Sequence, residues 1–354
     1  MLMLMKIWKL VFKKYKYNKI FYLFILLFFC AFKINKNKRI INTHFIPKIS
    51  IFLPIYNKAK FLKRSVGSLR FQTLKDIEII PVNDCSEDNT LQVLNKIAMK
   101  DPRIKIVNND KNRGLLYSRA MGILNSKGEY LMNLDPDDEL QGRDNLEFLY
   151  QIANETKVDI ISFGLIKKIN GRISNKFFLC SDFNNIQFQP QIFNFRNKFD
   201  YLITNKLVKK ELFMKAYSLF KDKIYGEKWN YGEDEIWSSL VNKYATSKIC
   251  VAKVIYIYHY NNNSLMNNRY NYHYLANLIN WIEMFIKILN KNEQNILINR
   301  LKSLIKIINN KNFLNIIKKN NKLKNKYIRI LKNITIPHIF NNSNFYHIIV
   351  TLES

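Results

Sequence analysis

Residues 48–57 read KISIFLPIYN, residues 77–90 read IEIIPVNDCSEDNT and residues 128–140 read GEYLMNLDPDDEL. Each holds a short apolar run that ends in polar residues, the mark of a buried strand that delivers functional groups at its carboxyl end. Working outward, the spacing predicts strands over residues 49–53, 77–82, 103–107 and 130–134, with helices over residues 59–71, 90–100 and 117–125. The first helix would turn Phe61, Leu62, Val66 and Leu69 inward, and the second Leu91, Leu94, Ile97 and Ala98. Repeated strand and helix units of this length predict an α/β fold in which a mostly parallel sheet is flanked by helices. In such sheets ligands bind beyond the carboxyl ends of the strands. Tyr56 and Asn57 fall there after the first strand, Asn83 and Asp84 after the second, and Asp135 to Asp138 after the fourth.

The chain has 354 residues, 48% of them hydrophobic, which is enough for one large or two modest domains with a buried core. A formal net charge of +30 raises the question of a nucleic-acid or anionic-membrane partner. Lys, Asn, Ile, Tyr and Phe are over-used together along the chain, however, which is a bias of the whole sequence and not a selected basic face. No recognition motif accompanies the charge, so nucleic acid is not an expected partner. The four cysteines, Cys30, Cys85, Cys180 and Cys250, form no CxxC pair and indicate neither a zinc site nor a disulfide framework. The five histidines show no metal-ligand spacing. Metal chemistry must therefore come from carboxylates.

Residues 20–32 (IFYLFILLFFCAF) carry no charge and follow a segment holding six lysines between Lys6 and Lys19. At ~1.5 Å per residue such a run spans about 20 Å, against roughly 30 Å of hydrocarbon. Snorkelling by Lys19 and Lys33 and a thin bilayer reduce the mismatch. A cleaved signal peptide has a similar apolar length, but the long charged lead and the bulky residues around Cys30 favour an uncleaved anchor. The expected arrangement is a single-pass membrane protein with its C-terminal bulk in the lumen of the endoplasmic reticulum or Golgi. Residues 1–47 would then hold the basic segment, anchor and linker, residues 48–265 the catalytic domain, and residues 266–354 an Asn/Lys-rich helical region. In the last region Leu275, Leu278, Ile279, Ile282, Phe285, Ile286 and Leu289 form an apolar stripe at helical spacing, expected to pack on the catalytic domain. A basic amphipathic helix lying on a membrane surface is the alternative.

Asp135-Pro136-Asp137-Asp138 sets three acids within four residues at a strand end. Like charges so close repel unless a cation or basic partner sits among them. Mg²⁺ or Mn²⁺ takes one or two protein carboxylates and completes its shell with phosphate oxygens, so an acidic turn at a ligand-binding edge points to a metal bridging a diphosphate. The plain alternative is a solvated turn in which Asp138 caps the next helix.

These segments, together with residues 112–123 (NRGLLYSRAMGI), resemble in order and spacing the motifs of family 2 inverting glycosyltransferases, which have the GT-A fold, a Rossmann-like α/β architecture. Residues 205–213 (NKLVKKELF) and 232–237 (GEDEIW) are similar to two further stretches of that family, so the likeness runs over residues 48–266. The resemblance implies that Pro54, Tyr56, Asp84, Arg119 and Asp135 bind the nucleotide-sugar. Tyr56 would stack on the base, Asp84 would accept a hydrogen bond from the base imide, and Arg119 would contact the base or support its loop. Asp135, Asp137 and Asp138 match the family's DxD-type motif for Mn²⁺ or Mg²⁺, whose charge would stabilise the departing diphosphate. Asp234 matches the position of the general base, with Glu233 as the neighbour to be tested beside it. Simple capping of the helix beginning near Ile236 is the structural alternative for both acids. The implied reaction moves a hexose or N-acetylhexosamine from a UDP-sugar to a glycan or lipid-linked acceptor.

Residues 82–86 depart from the family's frequent VDDGS and read VNDCS. Cys85 lacks glycine's freedom at positive φ, so a different turn is expected there. Loss of the acid at Asn83 supports an alternative of another class, a catalytically silent sugar-nucleotide or glycan-binding protein with the same fold.

Overall fold

The computed structural model describes residues 46–177, 202–225, 228–261, 272–288 and 317–333. The chain divides between Ile46 and Pro47 into two units, and the second is the one described here. The expected anchor at residues 20–32 lies outside the described residues. Among those described, no helix is long and apolar enough to cross a membrane.

The first half of the unit alternates strand and helix as the apolar spacing dictates. It runs β1 (Ile49–Ile55), α1 (Leu62–Arg70), β2 (Ile77–Asn83), α2 (Thr90–Ala98), β3 (Val107–Asn108), α3 (Leu115–Asn125) and β4 (Tyr130–Asn133). β5 (Glu139–Leu140), α4 (Asn145–Thr156), β6 (Ile160–Ile169) and β7 (Arg172–Phe177) follow. β8 (Lys206–Lys209) then leads directly into α5 (Lys210–Phe220), and α6 (Glu233–Tyr244) precedes β9 (Lys248–His259). The described residues end in α7 (Tyr272–Ile288) and α8 (Asn321–Asn333).

The strands form one sheet in the order β3-β2-β1-β4-β8-β6-β9-β5, with β7 paired to β6. β1 pairs in parallel with β2 and β4, and β2 with β3. The expectation of a mostly parallel sheet is corrected in the second half. There β8 enters antiparallel between β4 and β6, and β7 and β5 also pair antiparallel, so the sheet is mixed. The third strand is shorter than the expected residues 103–107. Ile104 makes only an isolated bridge to Ile79, because its N–H turns back to the carbonyl of Asp101 at 3.1 Å and regular pairing starts at Val107.

Strand periodicity places the two cores. Ile49, Ile51 and Leu53 point to the face covered by α1 and α4, where they meet Leu62, Val66, Leu69, Leu146 and Leu149. Phe52 points to the other face and packs with Leu116, Ala120 and Ile123 of α3, Phe213 of α5 and Trp237 of α6. Leu275, Ile279, Ile282 and Phe285 of α7 are buried in that same cluster. These four residues of the expected stripe therefore pack on the domain; the side chains of Leu278 and Ile286, and Leu289, lie outside what is described. The cysteine spacing gave no sign of a bridge, yet Cys250 in β9 is disulfide-bonded.

Candidate active site

The ends of β1 and β2 form a polar shelf. Asn57, at φ 52, takes a left-handed turn and accepts the Glu87 N–H at 2.8 Å, while its own N–H reaches the Ser86 hydroxyl at 3.0 Å. Tyr56 beside it is exposed, donates its hydroxyl to Glu87 at 3.2 Å, and has the Lys228 ammonium 5.7 Å from its ring centroid. Pro54, expected at the nucleotide site, is buried near the end of β1 opposite Val82.

Asp84 is buried and organises the neighbouring loop. One oxygen accepts the Arg113 N–H at 2.9 Å and the Asn109 amide at 2.8 Å, and the other accepts the Gly114 N–H at 2.8 Å. Asn83 uses both ends of its amide, accepting from Ser86 N–H and donating to Asn108. A neutral amide thus does here what a carboxylate cannot, since it donates as well as accepts. Cys85 takes φ 57 despite its Cβ, in the left-handed region that favours glycine.

Arg119, expected to contact the base or support its loop, joins three acids. It is buried in α3, and its guanidinium is engaged by three carboxylates. Nη1 lies 2.5 Å from Asp234 and 3.3 Å from Glu233, while Nη2 lies 3.3 Å from Asp135. A planar five-donor fork can do this where an ammonium cannot. Burial acts to lower the basicity of Arg119, but Asp234, Asp135 and Glu233 outweigh it and raise the pKa. The guanidinium therefore stays charged and joins the acidic turn after β4 to the start of α6. For Glu233 burial is the largest influence; with the negative charge of Asp234 it overcomes the opposing pull of Arg119 and pushes the carboxyl up to about 7.

The acids after β4 differ in placement. Asp135 and Asp137 keep 30% and 20% of their side-chain surface open, as Asp234 keeps 25%. Asp138, expected as a metal ligand or, in the plain alternative, as the cap of the next helix, is buried, and Asp144 holds the cap position of α4. Asp138 accepts the Tyr256 hydroxyl at 2.6 Å and the His259 N–H at 2.8 Å, tying the turn to β9. Burial, reinforced by Asp137 and Asp135, holds its carboxyl well above the usual range. Asp137 meets the Lys58 ammonium at 2.7 Å, and its backbone carbonyl accepts from Arg64. Among the described residues no group of three or more His, Cys, Asp or Glu side chains is gathered closely enough to cage a metal by itself. The open donor set, Asp135 and Asp137, nonetheless fits a hard cation of the kind that binds one or two carboxylates and fills its shell from a diphosphate. Two side-chain cations, Arg119 and Lys58, neutralise those carboxylates in this arrangement.

Glu233 and Asp234 sit in the first turn of α6 behind Gly232, whose φ of 77 suits glycine, and no side-chain cap bond is made there. Beyond any contribution from the helix start, Arg119 meets both side chains. The loop just before, residues 228–230, was not singled out from sequence. It lies against Gly114, where an added Cβ would come within 2.9 Å of Lys228 Cγ and 3.0 Å of Trp229 N. Asn230 accepts the Leu115 N–H at 3.0 Å, and the Trp229 carbonyl accepts that of Leu116 at 3.0 Å, so this loop closes the first turn of α3. The signal was present but faint: Asn230 lies two residues before the Gly-Glu-Asp triplet.

A mixed α/β sheet with acidic residues at its ligand-facing edge, next to a polar shelf, defines the GT-A class of fold. The crystal structure of Staphylococcus aureus TarS 1–349 in complex with UDP-GlcNAc shares it, with TM-score 0.60 at 18% identity over 80% of this chain and 83% of that one. Residues 50–216 match the model for Glycosyl transferase family 2, and the relatives below support that family for the chain. An uncharacterized glycosyltransferase, EpsJ, of Bacillus subtilis is 29% identical over 62% of this chain and 63% of its own length. The GalNAc(5)-diNAcBac-PP-undecaprenol beta-1,3-glucosyltransferase of Campylobacter jejuni is 29% identical over 60% of this chain and 65% of its own. The chain thus spans a little under two thirds of those relatives.

Proposed function

We propose that this protein is a metal-dependent inverting glycosyltransferase that moves a hexose or N-acetylhexosamine from a UDP-sugar to a hydroxyl of a glycan or lipid-linked acceptor. The observation that carries the reading is the buried Arg119, which brings Asp135 of one acidic motif and Asp234 of the other to a single guanidinium. A donor-side and an acceptor-side carboxylate held on one arginine are what a direct displacement needs, because leaving group and nucleophile must be aligned on opposite sides of one carbon. The TarS neighbour's complex with UDP-GlcNAc supports a uridine diphosphate donor for the same fold.

In this reading the base lies on the shelf of Tyr56, over the loop that Asp84 organises. Asp135 and Asp137 would hold Mn²⁺ or Mg²⁺, which would supply positive charge beside the departing diphosphate. Asp234 takes the proton of the acceptor hydroxyl as its oxygen forms a bond to the anomeric carbon and the bond from that carbon to the diphosphate breaks. Arg119 fixes where Asp234 stands. Asp138 works through Tyr256 to keep the acidic turn in register. As part of the same proposal, residues 20–32 anchor the chain in a membrane with the catalytic domain across it from the basic segment; protection of that domain from protease in intact vesicles tests the orientation.

The deciding experiment is a UDP-release screen of UDP-sugars with the purified full chain, with Mn²⁺ or Mg²⁺ supplied or chelated. Acceptor-dependent UDP release that stops on chelation is expected. UDP-sugar binding with no turnover on any acceptor would instead mark a silent binding protein.

A further inference from the structure

We infer that α7 is a working part of the active site, through Asn277 as a positioning residue for the loop that leads into the helix of the proposed base. The inference rests on the proposed reaction for its kinetic consequence, but its structural content is independent of it. Asn277 is buried, and its amide grips residues 228–230 at both ends. Its Oδ1 accepts the Asn230 N–H at 3.0 Å, and its Nδ2 donates to the Lys228 carbonyl at 3.2 Å. That loop in turn supplies the acceptors for the first two N–H groups of α3, from the Asn230 side chain to Leu115 and the Trp229 carbonyl to Leu116. One helical turn further along α3 stands Arg119, which holds Asp234. Two residues past Asn230, Gly232 opens α6; a Cβ built there would lie 3.7 Å from the buried Trp281 of α7.

One face of α7 therefore braces both approaches to the Arg119–Asp234 pair: Asn277 through the loop to α3, and Trp281 behind Gly232. An ordinary packing helix needs only its apolar stripe, which Leu275, Ile279, Ile282 and Phe285 already provide. A buried amide with both ends matched to one loop does something the stripe does not, since it fixes the loop's position along the helix. A displacement of about 1 Å in a supporting element is enough to cost up to about a hundredfold in rate.

The test compares Asn277→Ala, Asn277→Asp and, as a packing control, Leu275→Ala. Amide hydrogen exchange at Leu115, Leu116 and Asn230 is followed beside melting temperature, kcat and donor KM in the full chain. Asn277→Ala should speed exchange at those three amides and lower kcat at least about tenfold with little change in donor KM. Asn277→Asp keeps the acceptor for Asn230 but sets a carboxylate oxygen against the Lys228 carbonyl, so it should restore protection at Asn230 only in part and leave kcat below native. Leu275→Ala should lower the melting temperature with native turnover per folded molecule. Native exchange at Leu115 and Leu116 in Asn277→Ala, or an equal fall in kcat from Leu275→Ala, would overturn the inference. A native chain without transferase activity would refute the proposed reaction alone, and the exchange readout would still decide the role of Asn277.

Discussion

Nη1 of Arg119 lies 2.5 Å from Oδ1 of Asp234, across 115 residues of sequence. Because Nη2 of the same group holds Asp135 at 3.3 Å, the pair is also the joint between the two acidic motifs. Removing a buried partner and leaving its counter-charges facing one another costs about 3–5 kcal/mol.

Arg119→Ala is accordingly expected to fold poorly, and Arg119→Lys is the informative variant. An ammonium satisfies one carboxylate at this geometry and leaves the others misplaced. Arg119→Lys should retain UDP binding within a few fold while transfer falls by about a hundredfold. Native transfer by Arg119→Lys in a folded preparation would reduce the guanidinium to a charge balance.

Much of this site could be read from sequence, and what could not has a common cause. The runs that became β1, β2 and β4 are local, and so are the polar residues at their ends. Asp135, Asp137 and Asp138, by contrast, look alike in sequence because what separates them is remote: Tyr256 and His259 draw Asp138 inward from β9, while Lys58 meets Asp137 from the other side. The antiparallel entry of β8 escaped notice for a similar reason. Four residues, Lys206–Lys209, carry too little periodicity to show a partner on either side. Asn277 was hidden by composition, since one asparagine in an Asn-rich C-terminal region reads as background.

The ion pair between Lys58 and Asp137 makes a prediction about metal. A cation entering between Asp137 and a diphosphate must displace the ammonium, and a partly exposed pair of this kind is worth up to about 1 kcal/mol. Lys58→Met should therefore tighten Mn²⁺ binding in the presence of UDP by up to about fivefold in titration calorimetry. Asp137→Asn should abolish the Mn²⁺-dependent part of UDP affinity. Unchanged Mn²⁺ affinity in both variants would remove Asp137 from the metal shell.

Glu233 predicts how stability depends on pH. Its carboxyl is raised from 4.5 to about 7 in the folded chain, chiefly by burial. Between those values the folded state binds more protons than the unfolded state, so this contribution is full below pH 4.5 and is lost as pH rises through about 7. Glu233→Gln mimics the protonated form and should flatten that fall, leaving the variant more stable than the native chain at pH 8 by up to about 3 kcal/mol. Melting curves at pH 5 and pH 8 measure it. A native-like loss of stability between the two in Glu233→Gln would assign the slope to other groups.

Cys85 predicts a small gain. A residue with a Cβ held at positive φ costs about 1–2 kcal/mol, and glycine returns part of that as extra freedom in the unfolded chain. Cys85→Gly should stabilise the fold by about 0.5–1 kcal/mol, read as a modest rise in melting temperature. A lower melting temperature would mean that the cysteine side chain makes a contact that outweighs the strain of its φ of 57.

The decisive chemical prediction concerns Asp234. A general base acts on the acceptor proton and not on the donor, so its removal should separate binding from turnover. Asp234→Asn keeps the size of the side chain and a carbonyl oxygen for Arg119, and should leave UDP-sugar and Mn²⁺ affinity within about twofold. Transfer to acceptor should fall at least about a hundredfold, the usual contribution of a positioned base. A purely structural role gives another pattern, because weakening one of three carboxylates on Arg119 would lower the melting temperature and leave turnover per folded molecule near native. Donor affinity, melting temperature and transfer rate are therefore measured on one preparation. Near-native transfer by Asp234→Asn rejects it as the base. Glu233 is then the carboxylate to test, since it shares the guanidinium and, at a pKa of about 7, is poised to exchange a proton near neutral pH.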